Sequence, residues 1–510
     1  MKDADTMVLP RLGPVEAGLE DPWDEDLPTD RRTESAEALG RPATATTRRM
    51  AAWLVPALLM GVLGAVGAGM PGLGREELAT WRSATSSWPD WSAPHWGDGT
   101  LTPYDLLMRA WVEAFGASDL ALRVPSILAM AAAAALVGAV AARMFGPGAG
   151  LLAGLIFALL PTSTRYAQAA QPVALTLLAA VLATWLLLSA VDRPSLRRFV
   201  AYGGAVVVLG LCHVVALLLL VGHGWAVFAF RRGVAGRWLA TVIVGALPAA
   251  ALSWLVLRDG GQLATVARPD LTALTAAPRE LFGVTALGAV LAGLALFSLP
   301  LRYAAAVFTA WAVLPPLLLV LVARVTPIWS PQWLLFTLPA WAALGAAALS
   351  RVRARWSVGV LAVIALIGAP AQAAVRAPDG HDQAPRRLAE IMDGHWRPGD
   401  GMIYGFGDAG DGSDVRDMVA RYLRPDRRPV DVLAGTTPRV DGATPAPGCL
   451  PGCLRGVRRL WVIRVGERTD PVPPASGATG RLLRAGYHVE QVWRPSGFTL
   501  ALLVDEYTDL

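Results

Sequence analysis

The stretch "LRVPSILAMAAAAALVGAVAARMFGPGAGLLAGLIFALLPTSTRYAQAAQPVAL", Leu122–Leu175, decides how the chain is read. Its apolar runs, at Val124–Ala141, Gly148–Leu160 and from Pro172 onward, are joined first by a turn with Arg143 and then by the polar turn "PTSTRYAQAAQ". Runs near bilayer length with charge confined to their ends are the signature of membrane-crossing helices.

Outward from this stretch the pattern repeats. Apolar runs occupy Ala51–Met70 before it, and after Pro172–Val191 they follow at Phe199–Leu211, Val214–Phe230, Trp238–Leu257, Phe282–Pro300, Tyr303–Val322, Trp333–Leu349 and Val358–Ala374. That is about eleven spans, some shorter than the usual ~20 residues. Arg143, the set Arg193, Arg197 and Arg198, the set Arg231, Arg232 and Arg237, Arg302, and the set Arg351, Arg353 and Arg355 fall in alternate connections. With the N-terminus inside, all lie on the cytoplasmic side beside Arg48 and Arg49. The opposite side then carries residues 71–123, the "PTSTRYAQAAQ" turn, the loop after Arg258, the turn "RVTPIWSPQW" and everything from Arg376.

Composition agrees. Of 510 residues 54% are apolar and 17% charged, and the mean hydropathy of +0.45 excludes an ordinary soluble protein. The net charge of +5 is spent on topology at span ends, so it does not indicate nucleic-acid binding. Lys2 is the only lysine. Residues 1–47 are polar and rich in Pro, Gly and acids, and read as a disordered cytoplasmic tail. Ala51–Met70 lies too far from the start for a signal peptide and reads as an uncleaved first span.

From Arg376 to Leu510 the composition is that of a soluble domain. Strand-like runs ("GMIYGF", "RLWVIRV", "FTLALLVDE") alternate with helix-like ones ("APRRLAEIMDGHW", "DVRDMVARYL"), which predicts a small extracytoplasmic α/β domain. "GFGDAGDGSD" has neither Walker nor EF-hand spacing and reads as a Gly-rich turn into a capped helix. Cys449 and Cys453, four residues apart in that domain, could close a disulfide loop or remain free thiols.

The segment "PGLGREELATWRSATSSWPDW" from Pro71 sets Glu76 and Glu77 just beyond the first span, among Trp81, Trp88 and Trp91. Two readings fit. The tryptophans form an interfacial belt with acids at a helix start, or a carboxylate is held at the membrane surface as a general base.

The residues that follow tip the balance. An acidic pair after the first span (Glu76–Glu77), then Asp98, then Pro103–Tyr104 through Trp111, Phe115–Gly116, Ser118, Leu122–Arg123 and Pro125–Ser126, followed by "RYAQ" at Arg165, "HVVALLLLVGH" from His213 to His223 and "SPQWLLFTLPA", resemble in order and spacing the GT-C class of membrane glycosyltransferases. Within that class the chain looks most like the bacterial family-39 mannosyltransferase-like proteins. The resemblance spans about two thirds of the chain. It implies a GT-C-like bundle at residues 48–375 with a large first external loop, and an inverting transfer of a mannose-like sugar from a polyprenyl-phosphate donor to an envelope glycan, lipid or protein. It further implies Glu76, Glu77 and Asp98 as catalytic acids, and Arg165, Tyr166, Gln168, His213 and Tyr104 as substrate-binding groups. A divalent cation such as Mg²⁺ or Mn²⁺ near the first-loop acids is compatible with the class. The chain departs from the family pattern at Glu76, where Asp is usual, at Ala169, Gln171 and Val173, and at Gln332–Trp333. Two other functions share the composition: a non-catalytic relative that binds lipid-linked sugars or scaffolds the envelope, and a secondary transporter, which would carry ionisable groups at mid-span.

Overall fold

The computed structural model describes residues 31–88, 103–258, 269–298, 303–325, 329–404, 413–433, 452–472 and 478–505. Asp98 and Cys449 lie outside them. The chain divides into a short unit, Met1–Thr47, and a main unit, Arg48–Leu510.

Helix α1, Arg31–Ala65, starts earlier than the sequence predicts. Two short helices follow outside the bundle, α2 (Arg75–Thr85) and α3 (Pro103–Phe115). The bundle continues through α4 (Asp119–Phe145), α5 (Pro147–Leu159), α6 (Pro161–Ala167), α7 (Val173–Asp192), α8 (Leu196–Cys212), α9 (Leu219–Phe230), α10 (Ala235–Arg258), α11 (Leu271–Phe282), α12 (Thr285–Phe297), α13 (Tyr303–Ala323), α14 (Leu338–Leu349) and α15 (Ala354–Val375). Among the described residues seven helices are long and apolar enough to cross a membrane, and nine spans result if each of two bent pairs counts as one. Among the described residues nine of the expected eleven runs thus pass as spans by length and composition. The other two, Leu196–Cys212 and Val214–Phe230, are 17 residues each, at the short end of the spanning range, and the second opens with a tight 3-10 turn.

The two bent pairs shape the end of the bundle that carries α2. Helices α5 and α6 meet at 67°, because Pro161 cannot donate to the helix before it yet suits the first position of the next. Helices α11 and α12 meet at 83° around Gly283, whose φ of +79° caps α11 in the left-handed conformation. The breaks face each other: a Cβ on Gly283 would stand 2.8 Å from Pro161 Cβ. Interrupted helices at membrane depth are tolerated where they line a cavity, and these do.

Inside the bundle His223 is structural, as its depth suggests. Thr184 Oγ1 donates to Ala180 O, so at 3.0 Å it accepts from His223 Nε2, while Tyr202 OH lies 3.1 Å from Nδ1 and accepts from Trp238 Nε1. Four helices are tied by a network with no open valence on the imidazole.

Beyond α15 the C-terminal region is α/β, as expected. Helices α16 (Pro385–His395), α17 (Ser413–Tyr422) and α18 (Ala478–Gly486) accompany a five-stranded sheet of β1 (Gly401–Tyr404), β2 (Val430–Asp431), β3 (Arg459–Val465), β4 (Tyr487–Trp493) and β5 (Phe498–Asp505) in the order β2-β1-β3-β5-β4. Strand β1 runs parallel to β2 and β3, and β5 runs antiparallel to β3 and β4. Cys453 is disulfide-bonded and Cys212 is a free thiol.

One apolar cluster joins α2 and α3 to this domain, with Leu73, Leu78, Tyr104 and Met108 packed among Leu388, Met392, Met402, Trp461 and Phe498. A polar lock stands beside it. Asp119, at the start of α4, accepts from Arg386 Nη2 at 2.6 Å, Arg421 Nε at 3.0 Å and Tyr422 OH at 2.9 Å, and Tyr422 OH accepts in turn from Leu73 N. Replacing Asp119 with alanine would leave two guanidinium groups facing each other without their anion. The expected outcome is a loss of about 2–3 kcal/mol of domain docking, read as faster limited proteolysis of the connector at residues 376–384.

Candidate active site

The breaks of the two bent pairs, the start of α2, the turn Pro331–Thr337 and the connector 376–384 enclose a cavity of about 600 Å³. Each wall brings one chemical group. Glu76 comes from α2, Arg165 and Tyr166 from the short α6 that Pro161 starts, Glu280 from the last turn of α11, Gln332 from the 3-10 turn, and His381 with Asp382 from the connector. An adjoining pocket of about 180 Å³, more apolar, is walled by Glu76 together with His213, Trp333, Leu335 and Phe336. Glu76 therefore stands on the partition between a polar and an apolar compartment.

The acidic pair splits in two. Glu76 is exposed, but into the cavity. The protein around it raises its pKa from the ordinary carboxylate value by desolvation, while the Arg165 charge and a hydrogen bond from Gln332 pull the other way. Gln332 is bonded on both sides, its Oε1 accepting from Tyr166 OH at 3.4 Å.

Glu77 points away from the cavity and is fully buried. Its Oε1 accepts from Arg123 Nε at 2.8 Å and Ala170 N at 2.9 Å; its Oε2 accepts from Arg123 Nη2 at 2.8 Å, His381 Nδ1 at 2.8 Å and Gly74 N at 3.0 Å. Burial alone would raise its pKa, but the hydrogen bonds from Arg123 and His381 outweigh it and hold the carboxyl far below the usual range. A carboxylate whose oxygens are all engaged cannot take a substrate proton. Glu77 therefore positions α2, and with it Glu76, rather than reacting.

Other residues singled out in the sequence divide similarly. Arg165, Tyr166 and His213 line the two compartments, His213 with its ring 5.8 Å from that of Trp333. Gln168 does not: its amide nitrogen donates to Gly64 O at 3.1 Å and Val66 O at 2.8 Å, capping the first span. Tyr104 is buried in the apolar cluster beneath α2, not in the cavity wall. Residues absent from the sequence reading are Glu280, His381 and Asp382, which share no local motif with Glu76 and reach the cavity only through the bends and the connector.

Four buried polar atoms in the cavity wall have no hydrogen-bond partner among the described residues: Thr162 Oγ1, Arg165 Nη1, Gln171 Oε1 and His381 Nε2. Among the described residues Arg165 has a 3.6 Å ion pair to Asp382, whose side chain is 94% exposed and so binds it weakly, and lies 6.0 Å from the centre of the Tyr166 ring. Burying polar groups unpaired costs about 1–3 kcal/mol each. These atoms have almost no accessible surface, so they stand behind the cavity wall, while the Arg165 side chain, 22% exposed, brings a cation to it.

The described residues do not assemble a divalent-cation site. Glu77 has no oxygen to spare, and no cluster of three His, Cys, Asp or Glu side chains stands close enough to hold a metal.

Comparison with known proteins agrees with this architecture. The family model described as dolichyl-phosphate-mannose-protein mannosyltransferase matches residues 103–254, from α3 through most of α10. The structure is similar to that of ArnT from Cupriavidus metallidurans bound to undecaprenyl phosphate, with a TM-score of 0.58 at 14% identity over 88% of this chain and 98% of that one. It is also similar to the apo form, with a TM-score of 0.56 at 13% identity over 86% and 96%. No curated protein matches the chain. The chain is a multi-pass membrane protein with a GT-C, ArnT-like fold.

Proposed function

We propose that this protein is an inverting glycosyltransferase that moves a mannose-like hexosyl group from a polyprenyl phosphate to a hydroxyl of a cell-envelope glycan, lipid or protein at the extracytoplasmic face. The observation that carries the reading is the cavity itself, which sets an acid with a raised pKa, Glu76, in one space with a weakly held cation, Arg165. The undecaprenyl phosphate bound by the similarly folded ArnT supports a lipid-phosphate donor.

In this reaction Glu76, ionised, accepts the proton of the acceptor hydroxyl as its oxygen attacks the anomeric carbon from the face opposite the phosphate. The bond between that carbon and the phosphate oxygen breaks with its electron pair, and the lipid phosphate leaves with one more negative charge. Arg165 opposes that charge as it develops. The apolar compartment beside Glu76 offers a path for the first isoprene units, with Trp333 and Phe336 in its wall.

Because Glu76 works as a base only when ionised and its pKa is raised, transfer is expected to rise with pH along an acid limb placed above the ordinary carboxylate range. An acid limb at or below the pKa of a free glutamate would contradict the assignment. Arg165→Gln is expected to weaken undecaprenyl-phosphate binding by roughly 10–100-fold, the worth of a charged hydrogen-bond pair. The decisive assay gives purified protein in lipid nanodiscs a radiolabelled mannosyl-phosphoundecaprenol and envelope extract. Label should pass from the lipid phosphate to an acceptor; binding of the lipid with no transfer would instead make this chain a lipid-sugar-binding scaffold.

A further inference from the structure

Among the described residues Asp382 is the one non-glycine residue with a positive φ, +67°. Aspartate tolerates this left-handed region better than most side chains, and such a conformation persists where its neighbours fix it. They do so on both sides. Before it, the His381 side chain is buried and its Nδ1 donates to Glu77 Oε2 at 2.8 Å, since an ionised carboxylate only accepts. After it, Ala384 N donates to Ser496 O at 2.9 Å, and Gly497 lies so close that a Cβ there would stand 2.7 Å from Asp382 O. Ser496 Oγ also donates to Asp379 Oδ2 at 2.7 Å. The connector thus leaves the Glu77 cluster, turns at Asp382 and is caught by the α/β domain.

That fixed turn holds out a carboxylate with almost nothing packed on it. The Asp382 side chain is 94% exposed, lines the cavity and stands 3.6 Å from Arg165 Nη2. The separation is too long for a hydrogen bond, so charge alone holds the pair. An exposed pair of this kind is worth little, and a stronger anion displaces the carboxylate by rotating its side chain while the backbone stays in place.

The proposed reaction changes the charge that Arg165 meets. The donor is a phosphodiester with one negative charge. Breaking its bond to the anomeric carbon leaves a phosphomonoester, which carries about −1.5 to −2 at pH 7. By Coulomb's law Arg165 then holds the product up to about twice as strongly as the donor, and a neighbouring carboxylate repels it in the same proportion. We propose that Asp382 is a release residue, a carboxylate fixed beside Arg165 that competes with lipid phosphate for the guanidinium and disfavours the product more than the donor. This rests on the reading of the cavity as a lipid-phosphate site.

The test measures binding of undecaprenyl phosphate and of mannosyl-phosphoundecaprenol, without acceptor, to the full chain in lipid nanodiscs. The parent is compared with Asp382→Asn and Asp382→Gly, both of which tolerate a positive φ and so should keep the turn. Undecaprenyl phosphate should bind each variant about two- to fivefold more tightly, the worth of an exposed ion pair, and the mannosyl lipid should gain less. The gain should fade in about 1 M salt, where the screening length is ~3 Å. During transfer, added undecaprenyl phosphate should inhibit Asp382→Asn at lower concentration than it inhibits the parent. A merely structural role would not raise affinity. Unchanged or weaker binding of undecaprenyl phosphate by both variants, a gain confined to Asp382→Gly, or equal gains for the two lipids overturns the role of Asp382 and leaves the lipid-phosphate site standing. A parent protein that binds neither lipid overturns the reading of the cavity, and this proposal with it.

Discussion

Glu76→Gln is expected to fold and insert like the parent protein and to lose sugar transfer by about 10²–10⁴-fold, the range for removing a positioned general base. The amide matches the carboxylate in shape and can still bond Gln332, so the cavity should keep its form and its affinity for lipid phosphate. What disappears is the acceptor for the hydroxyl proton. Rate and binding are the two readouts: kcat should collapse while the Kd for undecaprenyl phosphate barely moves. Full activity in the variant would remove Glu76 from the chemistry.

The second large effect lies one residue further along and concerns stability. Arg123→Leu strips Glu77 of its counter-ion while leaving the carboxylate fully buried, a change that costs about 3–5 kcal/mol. It also abandons the carbonyls of Ala68, Pro71 and Gly72. A fall in thermal unfolding temperature by many degrees, accompanied by loss of expression, is the expected result. The double variant Arg123→Leu with Glu77→Leu should recover only part of it, since the three carbonyls stay unpaired. An Arg123→Leu protein as stable as the parent would show that the Glu77 cluster is dispensable. The sign with pH follows from the lowered pKa: Glu77 contributes its stability above the unfolded carboxyl's pKa, and loses it only as pH falls through the far lower folded value.

These two variants mark where sequence reading stopped. Arginine spacing and apolar run length were enough for the bundle, and strand and helix patterning for the α/β domain. The bends were not legible, because Pro161 and Gly283 break two spans without changing their apolar character. "PTSTRYAQAAQ" looked like a turn, yet its first part is the helix that presents Arg165.

Glu76 and Glu77 are neighbours with the same side chain, and on a helix adjacent residues face different directions. Which one faces the cavity depends on Arg123, 46 residues after Glu77, and on His381, 304 residues after it. His381 itself stands in "GHDQAP", a segment with no motif around it. Gln168 was misleading for a related reason: it sits beside true cavity residues in "RYAQ", but at its position the side chain turns toward the end of the first span. Motif membership indicated the right helix and not the right face.

The most direct test of the account is a structure of the full chain in lipid nanodiscs with undecaprenyl phosphate added. The phosphate should occupy the cavity within hydrogen-bond distance of Arg165, displacing Asp382 from it, with the isoprene chain leaving past Trp333 and Glu76 open to the space beside the phosphate. A phosphate bound elsewhere, with the Arg165–Asp382 pair intact, would contradict the assignment of this cavity as the donor site.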